Sequence, residues 1–80
     1  MNSKSADVAR VVETTCPNLQ LSAAAYFTPL KDLGVDSLDI ASIFLAIREN
    51  FGVLVPDDEI DALDTIERIA LYVDEHQAEP

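Results

Sequence analysis

The sequence predicts an all-α fold: a small bundle of three main helices plus one short helix, with a long loop after the first helix. Three observations carry this. Apolar residues recur at three- and four-residue spacing in three separate stretches, the period of a helix packed on one face. Ala, Leu, Ile and Val are plentiful, while the 80 residues hold two Gly and no Trp, a balance that favours helices. Chain breakers stand between the stretches at Pro17, Pro29, Gly34, Gly52 and Pro56. A chain of this length buries roughly 60% of its unfolded surface. Residues 1–80 therefore read as one domain with one modest core, too small to enclose a large private active site.

Each element follows from local pattern. Ser5 can cap a first helix, along which Val8, Val11, Val12 and Cys16 form one face, and Pro17 stops it because it cannot continue the backbone ladder. Residues 17–36 hold Leu19, Leu21, Tyr26, Phe27, Leu30 and Leu33 without steady periodicity. Loops this long are uncommon unless functional, and the apolar residues predict packing against the core. The second helix begins at Asp36-Ser37 and ends at Phe51, with Gly52 as its stop. Residues advance about 100° each, which puts Ile40, Ile43, Phe44, Ile47 and Phe51 on a core face. Asp39, Ser42, Ala46, Glu49 and Asn50 form a polar stripe, and Leu38, Ala41 and Leu45 a third stripe beside it. Exposed apolar side chains beside acids suit a partner surface, although scattered surface leucines are also ordinary. After the apolar link Val53-Leu54-Val55, residues 56–60 read as one helical turn with acids at its positive end. Asp64 and Glu67 have the spacing of a capping box for a last helix whose core face is Ile66, Ile69, Ala70 and Val73, with Tyr72 beside it. Residues 76–80 read as a frayed tail.

Charge narrows the function. Fifteen acids against five bases give a net charge of −10, a surface that repels phosphate backbones and anionic lipid and complements a basic protein partner. One cysteine cannot close an internal disulfide, the first eight residues lack the apolar core of a signal peptide, and no apolar run approaches the roughly 20 residues that span a bilayer. The chain reads as soluble, cytoplasmic and monomeric, binding neither nucleic acid nor membrane.

No enzyme constellation is present. His76 sits in the polar tail, Cys16 reads as a small core hydrophobe, and Asp57, Asp58, Glu59, Asp61 and Asp64 lack the alternation and central Gly of a calcium loop. The remaining candidate is Ser37, at the start of a helix behind the Gly34 turn. It has two readings: a plain N-cap, shared with Asp36, or a modification site whose phosphate the positive helix end and free amides would stabilise.

The run Gly34-Val35-Asp36-Ser37-Leu38-Asp39 resembles the Asp-Ser-Leu site of acyl carrier proteins, whose serine receives 4′-phosphopantetheine from coenzyme A. The likeness extends in order through Leu33-Gly34, Phe51, Val55-Pro56-Asp57-Asp58-Glu59, Thr65-Ile66 and Tyr72-Val73, covering about residues 5–75. It implies a covalent carrier rather than a catalyst, with Ser37 as attachment point for an arm loaded by a phosphopantetheinyl transferase. It also implies that acyl cargo tucks under the second and third helices, and that Asp36, Leu38, Asp39, Ala41, Leu45, Arg48, Glu49, Asp57 and Asp58 meet acyl-loading and acyl-processing enzymes with basic patches. Asp36 before the serine looks more like an acyl carrier than a peptidyl carrier, where Gly is usual. Ser42, Arg48 and Leu54 stand where the family typically carries acids, which points to a specialised branch of fatty acid, lipid or polyketide-type biosynthesis. An aminoacyl carrier of the same fold, or an acidic interaction bundle without a prosthetic group, are the alternatives.

Overall fold

The computed structural model describes residues 4–17, 19 and 21–77. Four α-helices run in the order α1 (Ser5–Thr15), α2 (Ser37–Phe51), α3 (Asp57–Ile60) and α4 (Ile66–His76). α1 packs against both α2 and α4. The core lies where these three meet: Val8 and Val12, Ile43 and Ile47, and Ile66, Ile69 and Val73 have no exposed surface. These are the positions that helical periodicity picked out. Ile40 and Phe51, expected in the core, are half-buried at its edge. Tyr72 is buried, and Cys16 is half-buried.

The long connection is more ordered than its pattern suggested. It holds two short 3₁₀ turns, Ala23–Phe27 and Leu30–Leu33, whose three-residue period is too brief to register as amphipathic. Leu30 fills the core at 2% exposure, and its amide donates to the Asp64 carbonyl at 2.8 Å, tying the connection to the segment before α4. Leu19, Leu21, Tyr26 and Leu33 pack on the core as expected, but Phe27 does not: it is 61% exposed. Two left-handed glycines end the elements flanking the link to α2 and the link to α3: Gly34 at φ 91° and Gly52 at φ 70°, the latter donating to the Arg48 carbonyl at 2.9 Å.

Three terminal expectations are corrected. Ser5 does not cap α1; it is the helix's first residue, fully buried, and its hydroxyl donates to Glu67 Oε1 on α4. Neither Asp64 nor a capping box starts α4. Thr65 is the N-cap, its Oγ1 accepting from the Arg68 amide at 3.1 Å. The register is one residue later, so the third helical position is Arg68 and Glu67 is released to meet Ser5. His76 belongs to α4 rather than to a frayed tail. Its ring stacks on Tyr72 with centroids 3.9 Å apart, and its Nδ1 lies 3.0 Å from the Tyr72 carbonyl. Residues 78–80 of the expected tail lie outside the described residues. Among the described residues no helix is long and apolar enough to cross a membrane.

Candidate functional site

Ser37 opens α2, and it is exposed. The cap belongs to Asp36 alone: its backbone is extended and its Oδ1 accepts from the Asp39 amide at 2.9 Å. The Ile40 amide donates to the Asp36 carbonyl, also at 2.9 Å, and begins the helical ladder. This removes the plain-cap reading of the serine. Because the carboxylate does the capping, the Ser37 hydroxyl is left in solvent, and it has no hydrogen-bond partner among the described residues. By position, the Ser37 and Leu38 amides have no intrahelical acceptor. A phosphate on this hydroxyl would meet those amides and the positive end of a 15-residue helix. The residues present fit a phosphodiester-linked arm. The approach is held by the Gly34 turn and by the Val35 amide, which donates to the Leu30 carbonyl at 3.2 Å.

Two hollows lie along α2 beyond this serine. One, of about 160 Å³, lies one turn along α2 and is lined by Leu30, Lys31, Ile40, Ile60, Asp61, Leu63 and Asp64. The other, of about 190 Å³, opens on the outer surface between α2 and α3, and Ala41, Leu45, Arg48, Leu54, Asp57 and Ile60 are among its walls. The residues expected on a partner surface therefore divide. Leu38 is 79% exposed and Leu45 55% exposed, and with Ala41 they form the open stripe that the helical wheel placed there. Arg48 and Asp57 join Ala41 and Leu45 around the outer hollow. Glu49 and Asp58 are exposed nearby but are not part of it. Asp39 faces elsewhere, beside Cys16, Leu19 and Val35. Burial, then the charges of Asp39 and Asp36, push the Cys16 thiol above its ordinary range.

Sequence reasoning had singled out Leu54 only by resemblance, as standing where the family often carries an acid, and had not placed the inner wall residues around a cavity. Leu54 was legible: in the extended link Val53, Leu54 and Val55 alternate at 3%, 68% and 8% exposure, so the middle residue faces out. The inner wall was not, since it joins residues from four separate segments.

Both hollows share one lining residue, Ile60 of α3. The four residues of α3 supply no buried side chain, and the helix is tied down from α4, where the Tyr72 hydroxyl donates to Glu59 Oε2 at 3.0 Å. Burial raises the Tyr72 pKa above its ordinary range, and the Glu59 hydrogen bond and charge add to the effect.

Comparison with known proteins agrees with this geometry. The family model described as phosphopantetheine attachment site matches residues 9–73. The chain is 47% identical over 49 residues to the acyl carrier protein of Zymomonas mobilis, covering 61% of this chain and 63% of that one. It is 34% identical over 58 residues to the acyl carrier protein of Helicobacter pylori strain G27, covering 68% and 74%. Against the acyl carrier protein of Campylobacter hominis it is 38% identical over 45 residues, covering 56% and 57%. The similarity spans less than two thirds of the Zymomonas and Campylobacter proteins. With the family match running from α1 into α4, the chain belongs to the acyl carrier protein family, whose prosthetic group is covalently attached 4′-phosphopantetheine.

Proposed function

We propose that this chain is a monomeric cytoplasmic carrier, not an enzyme, loaded at Ser37 and serving a specialised branch of fatty acid, lipid or polyketide-type biosynthesis. The observation that carries the attachment site is the exposed Ser37 hydroxyl at the start of α2, outside the cap that Asp36 makes. In the loading step that oxygen attacks the β-phosphorus of coenzyme A. The new O–P bond replaces the phosphoanhydride bond, adenosine 3′,5′-bisphosphate leaves, and a phosphopantetheinyl transferase takes the hydroxyl proton. Once attached, the group supplies a thiol that holds an acyl chain as a thioester. The chain's own residues then do two things. Leu30, Ile40, Ile60 and Leu63 offer an apolar cavity one turn from Ser37, where cargo is withdrawn from water. The Leu38, Ala41 and Leu45 stripe, with Leu54 and the acids of α2 and α3, offers a face for enzymes with basic patches.

The specialised branch is supported by the outer hollow itself. Its single cation, Arg48, makes no ion pair among the described residues, so its charge is available to a partner. An aminoacyl cargo is the nearest other reading, and Asp36 before Ser37 speaks against it by resemblance. The test is intact mass after incubation with coenzyme A and a broad-specificity transferase. One phosphopantetheinyl group is expected on the wild type and none on Ser37→Ala. A group mapped elsewhere, or none under several transferases, overturns the assignment.

A further inference from the structure

The notch between the end of α1 and the start of α2 takes no part in the carrier chemistry above. It measures about 210 Å³, has Thr15, Cys16, Leu19, Gly34, Val35 and Asp39 in its walls, and shares no lining residue with the two hollows along α2. It adjoins the attachment serine. Val35 lies two residues before Ser37, and Asp39 two residues after it, a rise of about 3 Å along the helix.

Its hydrogen-bonding capacity is one-sided. The Cys16, Leu19, Gly34, Val35 and Asp39 amides all donate within the chain, and Pro17, also on the notch, has no N–H. The Asp39 carboxylate accepts no hydrogen bond and makes no ion pair among the described residues. Burial first, then the Asp39 charge, raises the Cys16 thiol on this notch, so the carboxylate stands near that wall. No lysine or arginine lines the space. Asp36 and Asp39 repel an anion there, and the walls suit a neutral group that brings its own N–H or O–H donors.

A ligand of that chemistry is tethered next door. A pantetheine arm carries one hydroxyl and two amide N–H groups beside a gem-dimethyl carbon, with no charge beyond its phosphate. A short tether holds its ligand at millimolar effective concentration, so a shallow seat that would not capture a free molecule is filled. Volume sets how much enters. An apolar cavity of roughly 150 Å³ holds six carbons, so the notch has room for about eight non-hydrogen atoms, the half of the arm nearer its phosphate.

We infer that this notch seats the inner half of the unacylated arm, with an arm O–H or N–H donating to the Asp39 carboxylate and the gem-dimethyl carbon resting on Leu19. The inference rests on attachment at Ser37 and gives the empty arm of that same site a resting place on the α1 side. Asp39 is a positioning residue for the arm, and the thiol end projects past the notch.

The experiment compares the isotope-labelled full chain before and after modification by a transferase and coenzyme A, for the wild type and for Asp39→Ala. The cap made by Asp36 is intact in that variant, and Thr15→Val is a second one on the same notch. In the modified wild type, nuclear Overhauser contacts should join the gem-dimethyl protons to Leu19 and Val35 methyls, with amide shifts at Thr15, Cys16 and Leu19. Asp39→Ala should lose these contacts while intact mass shows it loaded. Carboxamidomethylation of Cys16 by iodoacetamide, read by peptide mapping, should be slowed by modification about fivefold more in the wild type than in Asp39→Ala, the population shift that one hydrogen bond supports. The phosphate charge slows Cys16 in both proteins, so the ratio isolates the seat. Shift changes confined to residues 36–38 overturn the inference, since the arm then lies in solvent. Arm contacts to Ile60 and Leu63 overturn it in favour of the inner cavity. Contacts that survive in Asp39→Ala overturn the role of Asp39. An unmodified mass removes the attachment reading itself, which is distinct from a loaded chain without contacts.

Discussion

The Tyr72 hydroxyl donates to Glu59 Oε2 across 3.0 Å and so fastens α3, a four-residue helix with no buried residue of its own, to the last helix of the bundle. An isolated helix of one turn does not hold together in water. α3 nevertheless forms a wall of both hollows along α2, through Ile60. What keeps that wall in place is therefore tertiary: this hydrogen bond and the packing of Ile60 on the core.

Tyr72→Phe removes the donor and keeps the ring that stacks on His76. A hydrogen bond to a charged acceptor contributes about 1.5–3 kcal/mol, and less at an exposed acceptor such as Glu59. We expect a loss of about 1 kcal/mol, with amide exchange accelerated in α3 and at Ala62 and Leu63 while α1 and the middle of α2 hold. Uniform acceleration through the bundle would show that α3 is not a separately tethered unit.

The same tyrosine contributes to the alkaline loss of stability, alongside the raised Cys16 thiol. Its pKa is raised in the folded state, by burial first and by Glu59 second. The folded chain thus keeps its proton to higher pH than the unfolded chain, whose tyrosine titrates near 10. The stabilisation is fully present below about pH 10 and is lost as pH rises through the folded value. Urea midpoints measured from pH 8 to 11 should fall more steeply for the wild type than for Tyr72→Phe. Parallel curves would assign the alkaline loss to other groups.

Much of this fold lay open in the sequence, and the limits follow a rule. Faces set by the helical period came through: Val8, Val12, Ile43, Ile47, Ile66, Ile69 and Val73 are all core residues. So did the Asp36–Gly52 bounds of α2, since its cap and its left-handed stop are local. What was missed depends on partners distant in the chain. Ser5 looked like a cap because nothing nearby reveals Glu67, 62 residues on. Asp64 and Thr65 are both competent caps, and packing chose the second. At the candidate site Ser37 was legible from its motif and Leu54 from alternation, but the cavity around Asp64 required the fold.

The choice between those two caps is measurable. Removing a Ser or Thr cap costs about 1 kcal/mol, within 0.5–2, so Thr65→Ala should lower stability by that amount. Asp64→Ala removes an exposed ion pair worth 0–1 kcal/mol at most and leaves the backbone carbonyl that holds Leu30, so about 0.5 kcal/mol or less is expected. Urea denaturation of both variants gives the order. If Asp64→Ala is the more costly, the capping register described above is wrong.

Partner choice turns on Arg48. Between Asp36 and Asp64 there are eight carboxylates and this one base, and it lines the outer hollow beside Ala41, Leu45 and Leu54. Pairing with Glu49 or Asp58 would have silenced it, but among the described residues it makes no ion pair. An enzyme that approaches an acidic carrier with lysines and arginines meets a like charge there, and such juxtaposition slows association and excludes partners. A cognate enzyme should instead present a carboxylate to Arg48 and an apolar surface to Leu54. Replacing Ser42 and Arg48 by Glu should then raise kcat/KM with a generic carrier-handling enzyme and lower it with the cognate one. Two exposed charge contacts, each worth at most about 1 kcal/mol, set the change at roughly three- to thirtyfold. Added salt should shrink both effects, because the charges are exposed and screened. If kcat/KM is unchanged with both enzymes, the cation on this hollow is neutral surface variation, and the specialised-branch proposal loses its structural support.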